Sequence, residues 1–141
     1  MIVVPDASVI LKWVLEREDE PGHLQALKLQ EALLTEDIEV RVPTLWRYEV
    51  GNVLGLKTPG MAGELMSALL AYELEEVPLK TEYALDVLEH MRGVSGITFY
   101  DAAYHVLALR MKGLYLTADA AYVKRAKRKG SVRLLSEWQG P

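Results

Sequence analysis

Short apolar runs and longer periodic stretches take turns along this chain. Ile2-Val3-Val4 and Leu114-Tyr115-Leu116-Thr117 are brief and nearly uniformly apolar, the pattern of strands buried on both faces of a parallel sheet. Ile38-Glu39-Val40-Arg41-Val42 alternates apolar with polar residues, the two-residue period of a strand. Leu74–Val77 and Val132–Leu135 give two further short strands. Between these runs apolar residues recur at three- and four-residue spacing, which predicts helices over 7–15, 23–34, 45–54, 59–72, 81–92, 97–109 and 120–129. The helix over 23–34 is expected to bury Leu24, Leu27 and Leu34. Pro43, Gly93, Gly113 and Gly130 punctuate the pattern, Thr44 is expected to cap the helix over 45–54, and 17–22 (Arg-Glu-Asp-Glu-Pro-Gly) reads as a charged break. The stretch over 97–109 carries Phe99, Ala102, Ala103, Val106, Leu107 and Leu109 on more than one face, which predicts a central, largely buried helix. Thr98 and Asp101 form a Thr-x-x-Asp capping box at its start. Strands alternating with helices in this order predict an α/β fold with a mainly parallel central sheet.

Composition narrows the setting. A chain of 141 residues is expected to form a single domain, residues 1–141, with a substantial core. No apolar run approaches the ~18–20 residues that span a membrane, and Met1-Ile2-Val3-Val4 lacks the features of a signal peptide. Cysteine is absent, which excludes disulfides and thiolate zinc sites and makes the cytoplasm the expected location. A net charge of −4 argues against nucleic-acid binding by bulk charge while leaving room for a local basic patch.

The acids supply the candidate chemistry. Asp6 and Asp119 each stand where a strand turns into a helix, and Asp101 opens the central helix. Each has a structural explanation as a helix cap, worth about 1 kcal/mol. Glu49 does not, because it lies within a helix and shares a face with Leu45 and Val53, each four residues away. Its structural explanation is a stem on the core edge with the head in water, or a pair with Arg47 or Lys57. A buried carboxylate otherwise needs a cation, a hydrogen-bonded partner or a raised pKa. In open α/β sheets ligands bind outside the carboxyl ends of the strands, and all four acids can reach that edge. Convergence costs roughly 3 kcal/mol for two carboxylates ~5 Å apart at an effective dielectric of ~20, unless they share protons or hold a divalent cation. An all-oxygen donor set selects Mg²⁺ or Mn²⁺, and the chemistry it supports is phosphoester hydrolysis.

Four segments carry a family resemblance. Val4-Pro5-Asp6-Ala7-Ser8, the helix from Pro43 through Glu49 and Asn52 to Leu54, Thr98-Phe99-Tyr100-Asp101-Ala102-Ala103-Tyr104, and Leu116-Thr117-Ala118-Asp119 resemble the four motifs of PIN-domain ribonucleases, and among these the VapC-type toxins of toxin–antitoxin pairs. The resemblance covers essentially the whole chain. It implies a PIN-like three-layer α/β/α sandwich and Mg²⁺-dependent endonucleolytic cleavage of RNA. It also implies a homodimer and a cognate VapB-type antitoxin that inserts a segment into the active site. By resemblance, Asp6, Glu49, Asp101 and Asp119 form a catalytic, metal-binding acidic cluster. Ser8, Asn52 and Thr117 match supporting polar positions. Many members carry a further acid just after the fourth motif; Ala120-Ala121-Tyr122 stands there instead, which counts against a second metal site.

For the RNA itself, Lys124, Arg125, Lys127, Arg128, Lys129 and Arg133 form a basic run. It serves either as a phosphate-tracking patch or as cations near helix ends that favour solubility. Lys12, one turn past Ser8, is a candidate to neutralise a scissile phosphate, or a solvated lysine. Tyr100 and Tyr104 can stack on bases or pack in the core. His105 is read as structural, since a metal site already supplies an activated water. A receiver-type signalling domain would want paired acids after the first strand and a Lys after the last. A haloacid-dehalogenase-type phosphatase would want Asp-x-Asp where Ser8 stands. A non-toxin PIN nuclease and a catalytically inactive PIN-fold module remain as alternatives.

Overall fold

The computed structural model describes residues 1–15 and 19–141, so Arg17 and Glu18 of the charged break lie outside the described residues. The chain runs β1 (Ile2–Pro5), α1 (Ala7–Leu11), α2 (His23–Leu34), β2 (Glu39–Pro43), α3 (Trp46–Lys57), α4 (Ala62–Leu70), β3 (Glu75–Val77), α5 (Thr81–Gly93), α6 (Phe99–Met111), β4 (Leu114–Thr117), α7 (Ala120–Ala126) and β5 (Val132–Leu134). Among the described residues the five strands form one sheet in the order β3-β2-β1-β4-β5. All four pairings are parallel, with Val3 opposite Val40 on one side and Leu114 on the other. The chain steps outward from β1 to β2 to β3, then crosses back to β4 on the far side of β1. Right-handed crossovers therefore put α1–α4 on one face and α5–α7 on the other, giving the expected three-layer α/β/α sandwich. The direction of winding reverses between β1 and β4, which opens a crevice beyond their carboxyl ends.

Helix α6 is the centre of one layer. Residues 102–108 are all buried, and the helix packs on β1, β2 and β4 with α5 against it. Ala102, Ala103 and Ala108 are small enough to let its backbone lie close to the sheet. Tyr83 of α5 donates to the Ala103 carbonyl at 2.6 Å, tying the two helices together. The end of α6 differs from the simple glycine stop: Lys112 takes the left-handed position (φ 53°). Gly113 serves another need, since a Cβ there would lie 2.6 Å from the carbonyl oxygen of Ile2. Only glycine lets β4 start this close to β1.

Four local expectations are corrected. Helix α1 stops at Leu11; Trp13 then turns its indole inward to donate to the Ala26 carbonyl at 3.0 Å. That contact seats α2 on its small residues, so α2 buries Ala26, Leu29 and Ala32. Leu24 and Leu34, expected inside, are 67% and 66% exposed, and Leu27 is 38% exposed. Thr44 does not cap α3, whose first turn has no side-chain cap; Trp46 Nε1 instead donates to Glu76 of β3 at 2.7 Å, and Arg47 pairs with the same carboxylate. Helix α4 begins at Ala62, after a turn through Pro59 and Gly60, and ends at Leu70.

Candidate active site

Both strands that flank the crevice end in acids. Asp6 follows β1 and caps α1, accepting from the Val9 amide at 3.2 Å. Asp119 follows β4 and caps α7, accepting from the Tyr122 amide at 3.0 Å. Thr98 caps α6 by accepting from the Asp101 amide at 3.1 Å, which places Asp101 in the first turn. Glu49 stands in the first turn of α3, the turn anchored through Trp46 and Arg47 to Glu76. The four side chains line one cleft of about 350 Å³, together with Ser8, Tyr104, Ala7 and Ala118. Capping and convergence are therefore compatible: a carboxylate that holds a helix start keeps lone pairs for whatever enters the cleft.

Asp6 is the most tightly held acid. Its Oδ1 accepts from the Ser8 hydroxyl as well as from the Val9 amide. Its Oδ2 accepts from Thr117 Oγ1 and, at 3.1 Å, from the Tyr115 hydroxyl. Thr117 Oγ1 also accepts from the Asp119 amide at 3.0 Å, so one buried hydroxyl links two of the acids. Glu49 Oε1 accepts from the Tyr104 hydroxyl at 2.6 Å. The pairing of Glu49 with Arg47 does not form, because that guanidinium is spent on Glu76.

Burial raises the Asp6 carboxyl above its ordinary range, against the opposing pull of Ser8, Thr117, the Val9 amide and Tyr115. Burial also raises Glu49; Tyr104 opposes the shift, and the charges of Asp6 and Asp101 add to it. Asp101 is raised by burial and then by the charges of Asp6 and Asp119, with Thr98 opposing. The like charges disfavour one another's ionised form, a cost that a nearby cation would offset. Among the described residues no three acidic or histidine side chains form a ready-made metal cage.

A PIN domain family model matches residues 3–129. The chain belongs to the PIN domain family. Members of this family are generally nucleases. The fold is similar to that of VapBC2 from Rickettsia felis bound to a DNA fragment from its promoter, with a TM-score of 0.65 and 14% identity over 95% of this chain and 97% of that one. It is also similar to FitAcB from Neisseria gonorrhoeae, with a TM-score of 0.70 and 15% identity over 98% of this chain and 100% of that one. FitAB bound to an IR36 DNA fragment gives a TM-score of 0.70 and 15% identity over 99% of this chain and 98% of that one. No curated protein sequence matches the chain.

The other candidate residues of this PIN domain take different places. Ser8 and Thr117 reach the cleft through Asp6, whereas Asn52 lies exposed on α3 outside the residues that line it. Lys12 pairs with Glu20 at 2.7 Å. In the basic run, Arg125 donates to the Ser95 carbonyl at 3.3 Å and Arg128 to the Gly93 carbonyl, so both clamp the loop that leads into α6. Lys124 and Lys127 are exposed. His105 is fully buried between the Tyr122 hydroxyl at 2.8 Å and the Gly130 carbonyl at 2.7 Å, which makes it a structural group. Tyr104 is buried, whereas Tyr100 is 61% exposed.

Sequence reasoning did not single out Tyr115, and it read Tyr104 as a core or stacking residue. The signal was present in both cases. Tyr115 and Thr117 are two apart on a strand and so share a face. Tyr104 is three residues beyond Asp101 and shares its side of α6.

Proposed function

We propose that this PIN domain is a Mg²⁺-dependent endoribonuclease of the VapC type, the toxin of a toxin–antitoxin pair, acting in the cytoplasm. The observation that carries this reading is the meeting of Asp6, Glu49, Asp101 and Asp119, from four separate elements, in one cleft at the switch point of the sheet. The donor set fits a hard cation: it is all carboxylate, cysteine is absent, and His90 and His105 are both engaged by Tyr122 away from the cleft. Asp6 and Asp101 would hold the ion with Glu49 and Asp119, and Mn²⁺ would serve in the same place. When bound, such an ion lowers the pKa of a water and offsets charge on the phosphate. The chain's own groups do the rest. Ser8, Thr117 and Tyr115 fix the Asp6 carboxylate in one orientation. Tyr104 donates to Glu49 Oε1 and so holds the Glu49 carboxylate at the cleft. The exposed Lys124 and Lys127 provide charge for the RNA backbone.

A VapB-type antitoxin and a second copy of the chain complete the proposal. FitAB and VapBC2 are two-component assemblies by name, which supports a protein partner for this chain. The deciding experiment is Asp101→Asn. Metal-dependent cleavage of RNA should fall at least a hundredfold while the circular dichroism spectrum and the melt stay native. Undiminished cleavage by a nuclease-free preparation of that variant would refute the assignment.

A further inference from the structure

A second pocket opens beside the acidic cleft, and Ser8 lines both. Its volume is about 260 Å³. The two walls of the cleft simply continue into it. On the first wall Lys12 follows Ser8 by four residues, and on the other Val53 and Lys57 follow Glu49 at four-residue steps along α3. Along α3, residues four apart share a face about 6 Å further on. Within about two helical turns the lining changes from four carboxylates to two lysines and the single carboxylate of Glu20. Lys12 is the better placed of the two: its side chain is only 12% exposed, and its ammonium is held at 2.7 Å by Glu20.

We propose that this pocket seats a backbone phosphate of the substrate strand, next to the phosphate that is cut, and that Glu20 occupies its place on Lys12 in the free protein. The inference rests on reading the acidic cleft as a phosphodiesterase site. The charge pattern supports it, because a strand laid across four carboxylates needs a cation for its neighbouring phosphate. The Glu20 carboxylate already shows that an anionic oxygen fits against Lys12. The exchange keeps the largely buried ammonium paired throughout, since one anion replaces another.

Salt dependence tests this. A short single-stranded oligoribonucleotide is titrated with Mg²⁺ against Asp101→Asn protein over a range of salt, and wild-type cleavage is measured alongside. Each phosphate contact on a single strand contributes about 0.7 to the slope of log K against log salt. Lys12→Met should flatten the slope by about 0.7 and weaken binding at least fivefold at low salt. Glu20→Gln should tighten binding severalfold and steepen the slope, and the double variant should behave as Lys12→Met alone. If Lys12→Met does not fold, Glu20→Gln and Lys57→Met carry the comparison. Unchanged slopes in a protein whose wild type cleaves RNA would overturn the pocket and leave the cleft's assignment standing. A wild type that neither binds nor cuts RNA would overturn both. Displacement of Glu20 by a poly-glutamate peptide, with RNA slopes unmoved, would give the pocket to an acidic protein segment and end the proposal.

Discussion

Thr117→Val is the sharpest perturbation of this site. Valine nearly matches threonine in shape, so no cavity or clash accompanies the change. What goes is one hydroxyl, completely buried, that donates to Asp6 Oδ2 and accepts from the Asp119 amide at 3.0 Å. A hydrogen bond to a charged acceptor contributes about 1.5–3 kcal/mol. The Asp119 amide, at the exposed end of its bond, recovers part of its loss from water and adds about 0.5–1 kcal/mol. The sum is about 2–4 kcal/mol of stability. At roughly 2–4 °C per kcal/mol for a chain of this size, the melting temperature should drop by about 5–15 °C. Thr117→Ser keeps the hydroxyl and should recover most of it. Losing this donor also raises the Asp6 carboxyl further, since Thr117 is one of the groups that pull it down. The acidic limb of the activity profile should therefore move to higher pH. The assays are thermal and urea unfolding with EDTA present, and cleavage rates across pH. A melting temperature within 2 °C of wild type, with an unmoved pH profile, would refute the account of Thr117 as the link between the two acids.

The other predictions follow from charge and packing. Asp6, Glu49 and Asp101 have raised pKa values in the folded chain. In metal-free protein these groups bind more protons folded than unfolded, so their contribution to stability falls as pH rises through the raised range. Mg²⁺ should cancel that fall, and the stabilisation it gives, read by urea unfolding with and without EDTA, should grow with pH. The buried histidines act oppositely: burial pushes His90 down to about 4 and lowers His105. Their contribution is intact above the ordinary value of 6.5 and is lost as pH falls toward 4; His90→Gln should remove part of this acid limb, as seen by circular dichroism. Gly113→Ala drives a methyl toward the Ile2 carbonyl and should cost more than about 2 kcal/mol in unfolding measurements, because two backbones rather than a flexible side chain must part.

Much of this molecule is legible in one dimension. The strand and helix patterns, the buried character of the stretch over 97–109, and the acids at the strand ends are local, since each depends on neighbours within a turn or two. The odd position of Glu49 was legible for the same reason: a carboxylate on an apolar helix face is visible in its spacing. Facing was harder. The face of α2 followed from the indole of Trp13 reaching the Ala26 carbonyl, a contact thirteen residues apart, and that contact turned leucines outward that periodicity put inside. The first turn of α3 is held by Glu76 rather than by Thr44, and Arg125 and Arg128 are turned toward the loop before α6. Periodicity specifies which residues share a face, while only packing specifies what that face meets. The convergence of Asp6, Glu49, Asp101 and Asp119 belongs to the same class: the sequence supplied four capable acids, and the order β3-β2-β1-β4-β5 decided that they open onto one cleft.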